Sequence, residues 1–325
     1  MTFVDATYIN TGGGKEILKL FLSKFKPDII LIDKRNNIDL IGIKTHYVKG
    51  ELDRFYYLKA YKNKIKTYVS LNNLPPNLNL KCKVIIYFHN TLYFSSSNFK
   101  YSLARQLQFY VKSLYIKFLN RNDYQWVVQT NLVKTNLSGF LNISNNKIHE
   151  LPFFDSKYGD QKFSNTNFIY VSDDSNHKNQ DNLIESFILA SQKTSKHLTL
   201  ILTISHRSVS TPKNLTIVFK GYIDKQKILE LYENSKFLIY PSLGESFGLP
   251  LIEAANHGCK VIASDLPYVH EIIRPSLTFN PYSVESISNS ILKAVETDNL
   301  PETKVLVENK LDNFIDFIIS QDVQK

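Results

Sequence analysis

The stretch from Phe237 to Asp265 leaves few folds open. Phe237–Tyr240 is apolar and strand-like, and Pro241 ends it. Pro250 suits the first turn of a helix, where its missing N–H has no intrahelical partner. Gly258 stands where a left-handed residue would close that helix, and Lys260–Ser264 resumes an apolar run. Two carboxylates bracket the helix start with seven residues between them. Glu245 falls in the loop and Glu253 in the first turn, so both can face a ligand at the helix N-terminus.

Such an end offers unpaired N–H groups and a partial positive charge, which suits a phosphate or diphosphate. Ser246 and Gly248 are small enough for a ligand to approach the backbone closely. Carboxylates beside an anion site make sense for a ligand that is anionic in its middle and rich in hydroxyls at both ends. A nucleotide sugar has that shape. For an isolated pair of glutamates the simpler account is a loop carboxylate and a helix-dipole residue, so the rest of the chain must decide.

A chain of 325 residues suits two domains better than one core. Its 43% hydrophobic and 13% aromatic content is that of a globular protein. No apolar run approaches the roughly 18 residues that would cross a bilayer. The start of the chain carries no signal-peptide pattern, so a cytosolic location is expected. Cys82 and Cys259 fall beside apolar runs in different halves, which points to buried thiols and not a disulfide. Charge is unevenly shared: residues 1–150 hold 22 Lys+Arg against 9 Asp+Glu, a net +13, and the remainder is −4. The basic half suits anionic headgroups, a lipid-linked diphosphate or nucleic acid.

Strand-like runs at Phe3–Ala6, Asp28–Ile32, Thr67–Leu71, Lys83–Phe88 and Trp126–Thr130 are separated by helical segments in the first half. Asn167–Val171, Leu198–Ile204 and Leu215–Phe219 continue the pattern in the second. Such alternation predicts α/β architecture with parallel sheets, where ligands bind beyond the carboxyl ends of the strands. Gly12, Gly13 and Gly14 link the first strand to a helix there, matching neither the dinucleotide fingerprint nor the P-loop. A flexible surface loop explains them equally well. His89 directly follows a strand, and Lys178, in a strand-to-helix loop, can neutralise a phosphate. Arg207 also follows a strand. Tyr101–Arg121 reads as a long helix mixing aromatic and basic residues. It suits a membrane surface, or a core-packed helix with a charged outer face. Lys304–Ile319 reads as a final helix.

Other chemistries find no support. The chain has no Asp-x-Asp to hold a divalent ion on a diphosphate and no His-Glu-x-x-His. Two cysteines cannot build a structural zinc site alone. Without a metal, the charge of a leaving diphosphate would fall to helix N-termini and to Lys or Arg.

The run Pro241–Ala254, with Glu245 and Glu253, resembles the Glu-x7-Glu signature of retaining glycosyltransferases of the GT-B fold, glycosyltransferase family 4. Gly221 before a helix, and Ala263-Ser264-Asp265 with Pro267 and Glu271, extend the likeness. The glycine loop, His89 and Asn176–Asn179 are similar to further family features, so the likeness spans nearly the whole chain. It implies two Rossmann-like domains with parallel sheets facing across a cleft, over 1–152 and 153–300, with 301–325 packing back towards the first. Glu253 would hold the ribose hydroxyls and Glu245 the donor sugar. The backbone of Ser246, Phe247, Gly248 and Leu249 would meet the diphosphate, with Lys178 opposite. Gly13 and Gly14 would line the donor, and His89 would reach the sugar. Many relatives carry an Arg near the position of Ser172, and Arg207 is the candidate substitute. No cofactor or metal is implied beyond the nucleoside-diphosphate sugar itself.

The expected activity is thus metal-independent, retaining transfer to a lipid-linked glycan, such as a lipopolysaccharide or other surface polysaccharide, at the inner face of the membrane. The alternatives are a non-catalytic GT-B subunit that scaffolds a partner enzyme and an isomerase of nucleotide sugars. A nucleic-acid binder has only the basic half behind it and lacks a recognition motif.

Overall fold

The computed structural model describes residues 1–10, 12–36, 40–95, 101–159 and 166–320; Thr11 of the glycine loop lies outside them. The chain divides into two compact units. The first is Met1–Ser97, Ser102–Asp155 and Glu308–Lys325, and the second is Asn98–Tyr101 and Ser156–Val307.

Among the described residues, the first unit contains β1 (Thr2–Ala6), α1 (Gly12–Lys24), β2 (Ile29–Asp33), β3 (Lys44–Val48), α2 (Glu51–Tyr61) and β4 (Thr67–Ser70). It continues with β5 (Lys83–Tyr87), α3 (Leu92–Ser95), α4 (Leu103–Leu119), β6 (Gln125–Val128), α5 (Asn131–Leu141) and β7 (Ile148–Glu150). Its strands run parallel in the order β3-β2-β1-β4-β5-β6-β7. The central strands are apolar on both faces because helices cover both. Val4, Ile30, Val69 and Ile85 fill one core, and Phe3, Tyr68, Val84 and Trp126 fill the other.

The second unit runs through β8 (Asn167–Tyr170), α6 (Gln180–Gln192), β9 (Leu198–Leu202), β10 (Leu215–Phe219), α7 (Lys225–Glu233), β11 (Phe237–Tyr240) and α8 (Leu249–Asn256). It ends with β12 (Lys260–Ser264), α9 (Pro267–Ile272), β13 (Ile273–Arg274), β14 (Leu277–Phe279), α10 (Val284–Glu296) and β15 (Lys304–Val305). Its main sheet is also parallel, in the order β10-β9-β8-β11-β12-β14. Strand order reverses between β1 and β4 in the first sheet and between β8 and β11 in the second. At such a reversal the flanking loops diverge and leave a crevice beyond the carboxyl ends of the strands.

Three expectations need correction. The helix expected over Lys304–Ile319 is two elements: β15 pairs antiparallel with β13, and α11 begins at Leu311 and runs to Ile319 within the first unit. Thr303, Val305 and Val307 turn inward while their neighbours face solvent, which is the period of a strand. The side chain of Asn309 then accepts the N–H of Leu311 at 3.1 Å and opens the helix. Glu253 is not in the first turn of its helix but a turn further, the fifth residue of α8. Cys82 is only partly buried, whereas Cys259 is buried; both are free thiols.

Candidate functional site

The loops that leave β8 and β11 carry Lys178 and Glu245, and hydrogen bonds tie one loop to the other. After β8, Asn176–Lys178 makes one short 3-10 turn, and Asn179 adopts φ 59°, a left-handed conformation that asparagine tolerates. In that conformation its side-chain amide donates to the carbonyls of Pro241 at 3.2 Å and Pro281 at 2.7 Å. The carbonyl of His177 accepts the N–H of Leu243 at 2.8 Å. From the end of β8 the Tyr170 hydroxyl holds the Lys178 carbonyl at 2.8 Å.

This stapling seats a nearly dry ion pair. Lys178 Nζ donates to Glu245 Oε1 at 2.6 Å, with the two side chains 13% and 11% exposed. The hydroxyls of Tyr240, at 2.9 Å, and Ser242, at 2.6 Å, donate to the same oxygen. Burial alone would raise the Glu245 pKa. The Lys178 ammonium, nearby His177 and the hydrogen bonds outweigh it and hold the carboxyl below the usual carboxylate range. Glu245 is therefore an ionised group fixed by one oxygen.

The chain from Ser246 to Leu249 then turns into α8. Phe247 is buried and anchors the turn, and Gly248 caps the helix at φ 76°. A Cβ on Gly248 would sit 3.1 Å from Leu251 Cδ1, so conformation and space both require glycine. In the opening turn Pro250 has no N–H and the Leu251 N–H bonds to the Gly248 carbonyl at 2.9 Å, so the Leu249 N–H and the positive end of the helix dipole are what α8 can offer an anion. One turn on, Glu253 makes a short ion pair with Lys225, the first residue of α7. Lys225 was not among the expected site residues. The available signal was Asp224, an N-cap that sets the start of α7 and accepts the Lys227 N–H at 2.9 Å.

Arg207 is held elsewhere. Its guanidinium pairs with Asp181, with Asp174 at 3.4 Å and with Gln180 Oε1 at 3.1 Å, clamping the first turn of α6. Those partners are close in sequence to Lys178, but an arginine shared among acceptors is a brace before it is a phosphate ligand.

In the first unit Gly12, Gly13 and Gly14 form the opening turn of α1. Gly13 is exposed. Gly14 approaches His89: a Cβ there would meet His89 Cε1 at 3.6 Å and Ile9 Cγ2 at 3.5 Å. His89 Nε2 lies 2.9 Å from the Leu71 carbonyl, which can only accept, and 3.2 Å from the Asn73 amide nitrogen, which can only donate; the shorter contact favours the tautomer with the proton on Nε2. Asn73 Oδ1 takes the His89 backbone N–H at 2.6 Å and completes the seat. Burial lowers the His89 pKa, which keeps the ring neutral at neutral pH. Asn73, missed in the sequence, is one of the few non-glycine residues at positive φ, at 69°. Among the described residues no three or more His, Cys, Asp or Glu side chains gather as a metal site.

Comparison with known proteins bears on this geometry. Residues 160–310 match the sequence model of the family Glycosyl transferases group 1. Over 87 residues the chain is 32% identical to O-antigen chain mannosyltransferase B of Escherichia coli, covering 26% of this chain and 23% of that protein. Over 198 residues it is 26% identical to O-antigen chain mannosyltransferase RfbU of Salmonella typhimurium, covering 56% and 55%. The matched stretches thus span about a quarter and about half the length of these relatives. Among solved structures, WaaG, a glycosyltransferase involved in lipopolysaccharide biosynthesis, superposes with a TM-score of 0.72 at 13% identity, over 98% of this chain and 100% of that one. That likeness shows the fold: α/β, with two parallel-sheet units of the GT-B type.

Proposed function

We propose that the chain is a retaining glycosyltransferase. It would move a sugar, without a metal ion, from a nucleoside-diphosphate sugar to a lipid-linked glycan during surface polysaccharide assembly. The observation that carries this reading is Glu245, ionised and anchored through Oε1 by Lys178, Tyr240 and Ser242 beyond the carboxyl ends of β8 and β11. In this reading Oε2 accepts from a hydroxyl of the donor sugar. Lys178 and the backbone of Ser246, Phe247, Gly248 and Leu249 at the start of α8 meet the charge that grows on the diphosphate as the sugar–phosphate bond breaks. Glu253, steadied by Lys225, takes the ribose hydroxyls. Attack by the acceptor hydroxyl on the face the diphosphate leaves, with its proton passing to a diphosphate oxygen, would retain the anomeric configuration.

The two O-antigen mannosyltransferase relatives put a nucleoside-diphosphate mannose first among donors to test. The experiment is calorimetric titration with a panel of nucleotide sugars, followed by a transfer assay with whichever binds. One donor should bind with a dissociation constant of about 1 μM to 1 mM. Glu245→Gln should lower turnover by at least about 100-fold with a smaller loss of donor binding. A chain that binds no nucleotide sugar, or a Glu245→Gln variant that transfers like the parent, would end this reading.

A further inference from the structure

The first unit holds a fixed carboxylate of its own, beyond the carboxyl ends of β1 and β4 where its strand order reverses. Glu51 opens α2, and donors from three segments converge on its Oε2. They are the Tyr115 hydroxyl from α4 at 2.7 Å, Asn77 Nδ2 from the chain after β4 at 2.8 Å and Arg54 Nη1 from α2 at 3.2 Å. Oε1 takes a single bond, from the hydroxyl of Tyr8 just past β1, at 3.1 Å. A carboxylate oxygen accepts about two hydrogen bonds, so Oε2 is full and Oε1 keeps a place. The side chain is 34% exposed. Glu245 in the second unit is held in the same way, with one oxygen crowded by donors, beyond strands that also mark a reversal.

What holds Glu51 is costly. Arg54 and Asp5 are paired and both fully buried, and burying two charges together returns little stability. Asp5 is saturated, since Thr7, Asn72, Tyr68 and Arg54 all donate to it. Arg54 also reaches the Tyr68 hydroxyl at 2.8 Å and the Pro75 carbonyl at 2.6 Å, which leaves Nη1 to turn towards Glu51. Favouring the dipole of α2 needs none of this, because a solvated glutamate in the first turn does as much. Tyr8 adds a second sign. It holds φ 70°, a left-handed conformation unfavourable for a bulky side chain, and it is 39% exposed. Burial and the neighbouring Glu51 push the Tyr8 and Tyr115 phenols well up, so both keep their protons for the carboxylate.

Charge identifies the ligand. Two carboxylates against one guanidinium leave the cluster negative, in a half of the chain that carries a net +13. Arg35, within electrostatic reach of Tyr8, is spent on Asp33 through bonds of 2.8 and 2.6 Å. An open carboxylate oxygen accepts a hydroxyl and repels a phosphate, and an exposed tyrosine ring beside it suits the C–H face of a sugar. We propose that Glu51 and Tyr8 bind a neutral, hydroxyl-bearing sugar in the first unit and refuse a phosphorylated one. The proposal rests on the transferase reading for its purpose alone: there the sugar is a residue of the acceptor glycan.

The test is ligand-observed NMR of the full chain, without donor, titrated with the methyl α-glycosides of mannose, glucose and galactose. At least one should bind with a dissociation constant on the order of 1 mM, and the 6-phosphate of the same sugar should fail to displace it. Glu51→Gln keeps the shape, removes the charge and should weaken binding at least about tenfold. Tyr8→Gly takes the same φ freely, lies outside the Arg54–Asp5 pair and should weaken it as much. Circular dichroism and urea midpoints of both variants separate lost binding from lost fold. A purely structural Glu51 would lower the midpoint and leave glycoside binding in place. No glycoside bound, a 6-phosphate that displaces one, or binding that both variants leave intact would overturn the proposal. In the transfer assay Glu51→Gln should raise the acceptor KM at least about tenfold with the donor KM unchanged. Donor binding is read apart, by calorimetry: its absence would defeat the transferase reading and leave the sugar site standing, whereas absent glycoside binding would defeat the sugar site alone.

Discussion

At Gly248 the backbone enters α8 through φ 76° with the Leu251 side chain packed beneath it. An alanine would have to hold a left-handed conformation and press on Leu251 Cδ1. Gly248→Ala should therefore cost about 1–2 kcal/mol, read as a lower urea midpoint at unchanged slope. An equal or higher midpoint would mean the turn can be remade. This turn was legible in the sequence, because glycine and proline state their backbone needs locally. The pairing of Lys178 with Glu245 was not. Each residue was singled out, but they lie 67 positions apart and meet only because the sheet order sets β8 beside β11. Tyr240 and Ser242 lay inside the marked stretch with nothing to show that their hydroxyls turn towards Glu245. Lys225 looked like any surface lysine until α7 set it against Glu253.

At the scale of elements, α11 carries its weight through one ring. Phe314 is fully buried, stacked on Phe153 at 5.5 Å and 15°, and it also meets Tyr87 at 5.3 Å and Phe21 at 5.8 Å. Leu311 and Ile318 extend the same face. Phe314→Ala leaves a cavity bordered by three aromatic rings that cannot all move in, so a loss of about 3–5 kcal/mol is expected in chemical denaturation. A loss below about 1 kcal/mol would show that α11 contributes little to the first core. The elements legible in the sequence were those with continuous apolar runs: β10 and β11 fall where expected. The strands with no such signal, β3, β7 and β14, are all at sheet edges, although the fourth edge strand, β10, keeps an apolar run. An edge strand is covered less completely, so it can do without a long apolar run: β3 has Lys44 and Tyr47 exposed, and β7 has only three residues. The helix misread over Lys304–Ile319 has the same cause, a short apolar alternation read with the wrong period.

For the whole molecule, partly or fully buried histidines tie stability to pH in a direction that can be worked out. Burial lowers the pKa of His46, His89, His149 and His177 from the ordinary 6.5. Lys44 adds to the effect at His46 and Lys134 at His149, while Glu245 partly opposes it at His177. In each case the folded value lies below the unfolded one. Above the unfolded value both states hold the ring neutral, and the full stability is present. As pH falls through 6.5 the unfolded chain takes up protons that the native rings refuse, so stability drops until the folded values are reached. Each proton taken up contributes a slope of at most about 1.4 kcal/mol per pH unit. Urea midpoints should therefore fall steadily from pH 7.5 to 5.5, before the lowered carboxylates Asp5 and Glu245 begin to titrate. His46, His89 and His149 belong to the first unit and His177 to the second. If unfolding resolves into two steps, the step of the first unit should move further with pH. His89→Asn, which removes one of the three rings, should flatten that step's dependence without touching the other. A midpoint that stayed level or rose on acidification would show that these rings are hydrated enough to charge in place.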